Sequence, residues 1–133
     1  MIERIFFVLL LGVIGVAAYY LYTRHQIRLA TKQITADSLL DINPDQATLV
    51  YFTTPFCAPC KLQQTPNLER LQDEMGDGLH IIRIDATEEP HVAEKWGVIS
   101  VPTTFVLDHK GQPRKVHNGV VGVDTLRQDI ENL

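Results

Sequence analysis

Apolar and polar positions divide this chain into a leader and a body. From Ile5 to Tyr22 eighteen consecutive residues, IFFVLLLGVIGVAAYYLY, carry no charge. At a rise of ~1.5 Å per residue, a helix of that length spans about 27 Å, close to the hydrocarbon thickness of a bilayer. Tyr19, Tyr20 and Tyr22 crowd one end and Arg24, His25 and Arg28 follow, as aromatic and basic residues do at a membrane boundary. A buried core helix is the competing reading, but a small body has nothing to cover a helix that is apolar all round. The pattern therefore predicts a short tail over 1–4 and a transmembrane helix over 5–22. Residues 23–34 predict a helical continuation or a juxtamembrane linker, and 35–133 a folded domain. Val16-Ala17-Ala18 resembles a signal-cleavage site. The apolar run continues four residues past Ala18 and only Arg4 precedes it, so a retained anchor is expected. Arg24, Arg28 and Lys32 just after the span lean the positive-inside rule toward a cytoplasmic domain.

The body alternates strand-like and helix-like patterns. Thr35 or Asp37 is placed to cap a short helix over 36–42 that Asn43-Pro44 ends. Thr48–Thr53 and Leu79–Ile84 read as short buried strands. Between them, Pro59–Met75 reads as a helix with Leu62, Pro66, Leu68, Leu71 and Met75 on one side, kinked at Pro66. Gly76-Asp77-Gly78 breaks it. Pro90–Trp96 is a short helix closed by Gly97 in a left-handed cap. Thr103–Leu107 and Lys115–Asn118 flank a turn at Asp108–Gly111, and Val123–Leu133 is a closing amphipathic helix. Two strands joined through a helix, then a hairpin and a helix, predict an α/β fold with a mixed sheet covered by helices.

Charge sharpens the division. Residues 1–33 hold four bases against one acid, a net +3, and the rest holds eight bases against fifteen acids, a net −7. So acidic a body has no face for neutralising phosphates, and nucleic-acid binding is not expected. With two cysteines in all, neither a disulfide-stapled scaffold nor a four-cysteine zinc site is possible.

Those two cysteines form Cys57-Ala58-Pro59-Cys60, between the first strand and the helix starting near Pro59. Residues three apart on a helical turn lie within disulfide range. Cys57 falls at the helix mouth, where free N–H groups and the dipole favour thiolate, and Cys60 lies one turn in, shielded. Pro59 pre-sets the first helical turn. An exposed nucleophile backed by a resolving thiol is what thiol–disulfide exchange needs. A purely structural bond here would close too short a loop to stabilise much. His80, His91, His109 and His117 are scattered and read as surface residues rather than ligands, so no metal site is expected.

The stretch Leu49–Lys61, LVYFTTPFCAPCK, resembles the active-site segment of the thioredoxin family. Trp96–Thr103, WGVISVPT, resembles that family's second signature, and Lys110-Gly111 and Gly119 fit it without insertion. The likeness covers about 35–133. It implies a thioredoxin-like fold behind the membrane helix and a redox-active Cys57–Cys60 pair needing no cofactor. It also implies a cis bond at Val101-Pro102, with Pro102 facing the cysteines and keeping metals from bridging them. The backbone at Val101 would pair with an extended substrate segment. Phe56 supplies an apolar rim where the family has Trp, and Thr103 and Trp96 flank the groove, although Trp96 also fits as plain core. The implied partners are protein disulfide or dithiol substrates and an upstream electron donor, since the chain has no nucleotide-binding glycine fingerprint.

Three departures bear on mechanism. The family's buried Asp, six residues before the first cysteine, is Tyr51, and its partner Lys is Ile81. The second Trp of the segment is Thr53. A tyrosine, with a pKa near 10, does not accept a proton at neutral pH as a carboxylate does. The Ala-Pro spacer resembles the reducing type, and no His adjoins Cys57 to stabilise its thiolate further, so reduction is the expected direction. The other use of two thiols is soft-metal (copper) or haem-thiol delivery, which lacks the extra His and the longer spacing expected of it.

Overall fold

The computed structural model describes residues 1–36 and 43–133. The chain opens with a single helix, α1 (Ile2–Ala36), followed by β1 (Ala47–Thr53), a π-helical turn at Cys60–Gln64, α2 (Thr65–Met75) and β2 (Leu79–Asp85). Then come α3 (Pro90–Lys95), β3 (Thr103–Leu107), β4 (Pro113–Asn118) and α4 (Val123–Glu131). The expected strands and the later helices are all present, with ends shifted by one or two residues. The short helix expected over 36–42 lies outside the described residues, except Ala36, which ends α1.

The four strands stand in the order β2-β1-β3-β4, β1 parallel to β2 and antiparallel to β3, with β3 and β4 an antiparallel hairpin. This is the mixed sheet the pattern predicts, and the thioredoxin-like arrangement the resemblance implies. β1 is central and buried on both faces, so Thr48–Phe52 read as a continuous rather than alternating strand. Leu49, Tyr51 and Val106 face α2 and α4 through Leu68, Leu71, Val123, Leu126 and Ile130. Val50, Phe52, Phe105 and Leu107 face the other side, where Trp96 and Ala30 complete the cluster. Phe52, Trp96 and Phe105 meet as a tilted or edge-on trio with centroids 5.0–5.9 Å apart, worth ~0.5–1.5 kcal/mol per pair beyond burial.

β4 starts two residues earlier than expected, at Pro113. As an edge strand it tolerates a proline, and a bulge beside Leu107 takes up Arg114. The helical segment 59–75 also departs from its pattern. Its inner face is Cys60, Gln64, Leu68, Leu71 and Met75, at steps of four or three, whereas Leu62 is 76% exposed and Pro66 is exposed. Leu62 and Pro66 stand six and two residues before Leu68, steps that take both off the stripe. Disruption by Pro66 takes the form of a widened turn: the Thr65 N–H reaches back five residues to the Cys60 carbonyl.

The hairpin turn is held by one carboxylate. Asp108 Oδ1 accepts from the Lys110 and Gln112 N–H groups at 2.9 Å each, and Oδ2 accepts from Arg114 Nε at 2.8 Å. Burial pushes this carboxyl up, but the Gln112, Arg114 and Lys110 hydrogen bonds outweigh it and hold its pKa below the ordinary carboxylate value. A depressed pKa contributes stability above the unfolded pKa that is lost as pH falls through the folded one. Asp108→Ala should therefore cost ~1–3 kcal/mol at pH 7. In denaturant titrations the gap to the parent protein should close as pH drops below 4; an equal gap at pH 3 and pH 7 would contradict this.

The polar stretch after the apolar run is helix, the first of its two expected forms, and it does not hang free. Gln26 and Ala30 are fully buried against the domain. Gln26 Nε2 donates to the Gly97 carbonyl (2.9 Å) and to Asn118 Oδ1 (3.1 Å), and Asn118 Nδ2 donates back to Gln26 Oε1 (3.0 Å). The Tyr22 hydroxyl also donates to the Gly97 carbonyl (3.3 Å). Gly97 has φ +70°, a backbone conformation that favours glycine, and a Cβ there would stand 3.0 Å from Leu29 Cδ1, which would have to yield.

Candidate active site

β1 delivers the chain to the site. It ends at Thr53 and, after a turn, reaches Cys57, whose carbonyl accepts the Lys61 N–H as the helix begins (3.2 Å). Cys57 and Cys60 are joined as a disulfide with Cα atoms 5.2 Å apart. The Cys60 N–H points at Cys57 Sγ (3.2 Å), a contact that favours a thiolate there once the bond is reduced. Cys57 is 8% exposed and Cys60 0%. The expected order, outer then inner, holds, but Cys57 is not bare. Its sulfur is bonded inward and the residue belongs to the same apolar cluster as Cys60, with Val101 packed against that cluster.

The Val101–Pro102 peptide bond is cis, as the resemblance implies. Pro102 is buried and its carbonyl accepts the Gly119 N–H (2.8 Å). Among the described residues no hydrogen-bond partner meets the Val101 N–H or carbonyl. Phe56 is 92% exposed and Pro59 is exposed beside the disulfide.

Thr103 and Trp96 are not at the rim. Thr103 is fully buried, its hydroxyl turned back to the Ser100 carbonyl (2.6 Å) and its backbone paired on both sides, to Phe52 and Asn118. Trp96, 4% exposed, is core: the aromatic trio occupies it.

Tyr51 lies wholly buried beneath Cys60. Its hydroxyl is 3.5 Å from the Cys60 carbonyl and 3.4 Å from Thr65 Oγ1, both at the long limit of a hydrogen bond. Ile81, in the place of the family's lysine, packs against the same cluster, so an apolar pair stands where the family has a charged one. Two further groups escaped the sequence reading. Gln64 Oε1 accepts the Val121 N–H (2.8 Å) and Asn67 Nδ2 donates to the Val121 carbonyl (3.1 Å), tying the 119–122 loop to the cysteine helix. Buried Asp129 pairs with His117 (2.6 Å) and Lys115 (3.1 Å). Neither leaves a signal in sequence, because each joins residues far apart in the chain. Among the described residues no group of three or more His, Cys, Asp or Glu is placed to hold a metal ion.

The model of the thioredoxin family matches residues 30–132. The chain belongs to the thioredoxin family. It is 40% identical over 79 residues to thioredoxin of Bacillus subtilis, an alignment covering 59% of this chain and 75% of that one. It is 30% identical over 107 residues to chloroplastic thioredoxin Y1 of Arabidopsis thaliana, covering 79% of this chain and 61% of that one. Against the bifunctional thioredoxin reductase/thioredoxin of Mycobacterium leprae it is 30% identical over 92 residues, 69% of this chain but 20% of the relative. Malaria-parasite thioredoxin-2 has the same fold, with a TM-score of 0.62 at 22% identity over 66% of this chain and 84% of that one. The thioredoxin match and the bonded cysteine pair make this chain a thiol–disulfide oxidoreductase. The match begins at Ala30, inside α1, so the docked residues Tyr22 and Gln26 lie just before it.

Proposed function

We propose that this thioredoxin-family protein is a membrane-anchored protein-disulfide reductase. The observation that carries the redox reading is the Cys57–Cys60 bond just past the carboxyl end of β1, in a buried cluster against which Val101 also packs. Cys57 attacks a substrate disulfide to give a mixed disulfide, and Cys60 resolves it. Val101 pairs with an extended substrate segment, Phe56 and Pro59 form the apolar rim, and Pro102 shapes the groove. The electrons come from an upstream reductase; the Mycobacterium leprae relative, named as a reductase joined to a thioredoxin, supports a donor of that kind.

The anchor is residues 5–22. α1 is long and apolar enough to cross a membrane: its most apolar window has a mean hydropathy of 2.3, and none of it is buried by the rest of the chain. A cleavable signal passes the same test, so retention needs its own measurement. The full chain should resist alkaline carbonate extraction from membranes, and a variant lacking 1–21 should be released; release of the full chain would refute anchoring. A reporter fused after Leu133 is expected on the cytoplasmic side, following the charge bias.

Insulin reduction tests the chemistry, and equilibration with glutathione or a reference thioredoxin tests its direction. We expect a potential near thioredoxin's ~−270 mV rather than the ~−120 mV of a strong oxidant. A value at the oxidising end would overturn the reductase assignment.

A further inference from the structure

The way α1 joins the domain fixes where the redox pair sits relative to the membrane. β1 runs toward the site, and its last residues pair with the residues after Pro102: Phe52 lies against Thr103, and Thr103 against Asn118. Gln26 grips Asn118 and the Gly97 carbonyl, so α1 passes the site end of the sheet at residue 26. One turn on, Ala30 is buried in the cluster on that face of the sheet, whereas none of the apolar run before Tyr22 is buried. α1 therefore descends from the site end, and everything before Tyr22 projects beyond it. That projecting part is the apolar run, which ends at Tyr22. From Gln26 back to Tyr22 the helix rises only about 6 Å.

The clamp also lacks slack. α1 is one uninterrupted helix from Ile2 to Ala36, and Tyr22 and Gln26 both hold the carbonyl of Gly97. Gly97 opens the 97–102 loop that ends at cis-Pro102. In that loop Ile99 is 80% exposed, and across the disulfide Phe56 is 92% exposed. Large apolar side chains so open to water are tolerated where an interface receives them.

We propose that α1 acts as a rigid stalk holding the Cys57–Cys60 pair at the bilayer surface, and that its substrate is a disulfide of a membrane-embedded protein lying just outside the headgroups. This rests on the anchored-reductase reading above. The chemistry balances with the two thiols alone. Cys57 thiolate displaces one sulfur of the target disulfide, which leaves as a thiolate and takes up a proton. Cys60 gives up its proton and displaces Cys57's new partner sulfur. The target gains two electrons and two protons, and Cys57–Cys60 closes.

The test uses the full chain in phosphatidylcholine nanodiscs with co-reconstituted single-span peptides. One carries a disulfide loop three residues beyond its span, the other thirty. A second protein has fifteen Gly/Ser residues inserted between Leu21 and Tyr22, which leaves the Tyr22 and Gln26 clamp intact and lengthens the tether by roughly 20 Å. The parent protein should reduce the near loop about tenfold or more faster than the far one, and the insertion should erase that preference while insulin reduction stays unchanged. Equal rates on both loops, or a faster far loop, with insulin still reduced, would sink the stalk idea alone. Failure to reduce insulin would sink the parent reading with it. A readout independent of activity comes from Trp96, the sole tryptophan and the neighbour of Gly97. Nitroxide-labelled headgroups should quench it in the parent protein and far less after the insertion; unquenched Trp96 in the parent protein would overturn the proposal.

Discussion

Cys57→Ser should abolish disulfide exchange, whereas Cys60→Ser should stop it half-way, with the substrate covalently held. Losing the nucleophile removes the covalent route altogether, a fall on the order of 10³-fold or more in insulin reduction. The two sulfurs are not equivalent. Cys57 keeps the residual exposure and receives the Cys60 N–H, which lowers the cost of a thiolate on it; Cys60 has no access to an incoming disulfide. With Cys60 gone, the first displacement still proceeds and the second cannot, so the mixed disulfide accumulates and appears on a non-reducing gel. The adduct in membranes would identify the substrate. Neither change should greatly affect stability, because the bond closes a loop of only a few residues. Adducts forming with Cys57→Ser and not with Cys60→Ser would reverse the assigned roles.

Much of this site was legible because its signals are local. A strand, a CxxC and a helix follow one another in sequence, and Val101-Pro102 lies one residue before the next strand. The sheet followed from the same logic, since short apolar runs between turn residues have few other uses. Three features were hidden for physical reasons. Gln26 reads as one more polar residue in a polar stretch, and only the fold reveals that its amide caps a carbonyl seventy-one residues away. Leu62 reads as core by type, yet its position six residues before Leu68 turns it to solvent. Thr103 and Trp96 adjoin the groove in sequence while their side chains point into the core, a distinction that proximity to a motif cannot make. Cys57 is a subtler case: it lies at the helix mouth as its sequence position implies, but its bond to Cys60 draws it into the apolar cluster.

Tyr51 separates what the family's missing carboxylate did for chemistry from what its replacement does for the fold. The ring is fully buried among Leu49, Cys60, Leu68 and Val106, so Tyr51→Ala should cost ~3–5 kcal/mol through lost burial and the cavity left behind. The hydroxyl's two contacts are long, at 3.4 and 3.5 Å, and Tyr51→Phe should cost no more than ~1 kcal/mol. A loss for Phe as large as for Ala would mean that the hydroxyl, not the ring, holds the Cys60 turn. Tyr51→Asp adds a second effect. Buried among apolar side chains, the new carboxyl is pushed up in pKa, so its charged form opposes folding. A folded pKa above the unfolded one makes the variant lose stability as pH rises through the carboxylate range, on top of the cavity cost. In the fraction that folds, the same high-pKa carboxylate is able to take the proton from Cys60. The mixed disulfide formed by Cys57 should then resolve faster at neutral pH than in the parent protein, measured by quenched-flow trapping of the adduct. Unchanged resolution in a folded Tyr51→Asp protein would show that proton removal from Cys60 is not what limits this chain, and that an apolar floor under the inner thiol serves as well as a charged one.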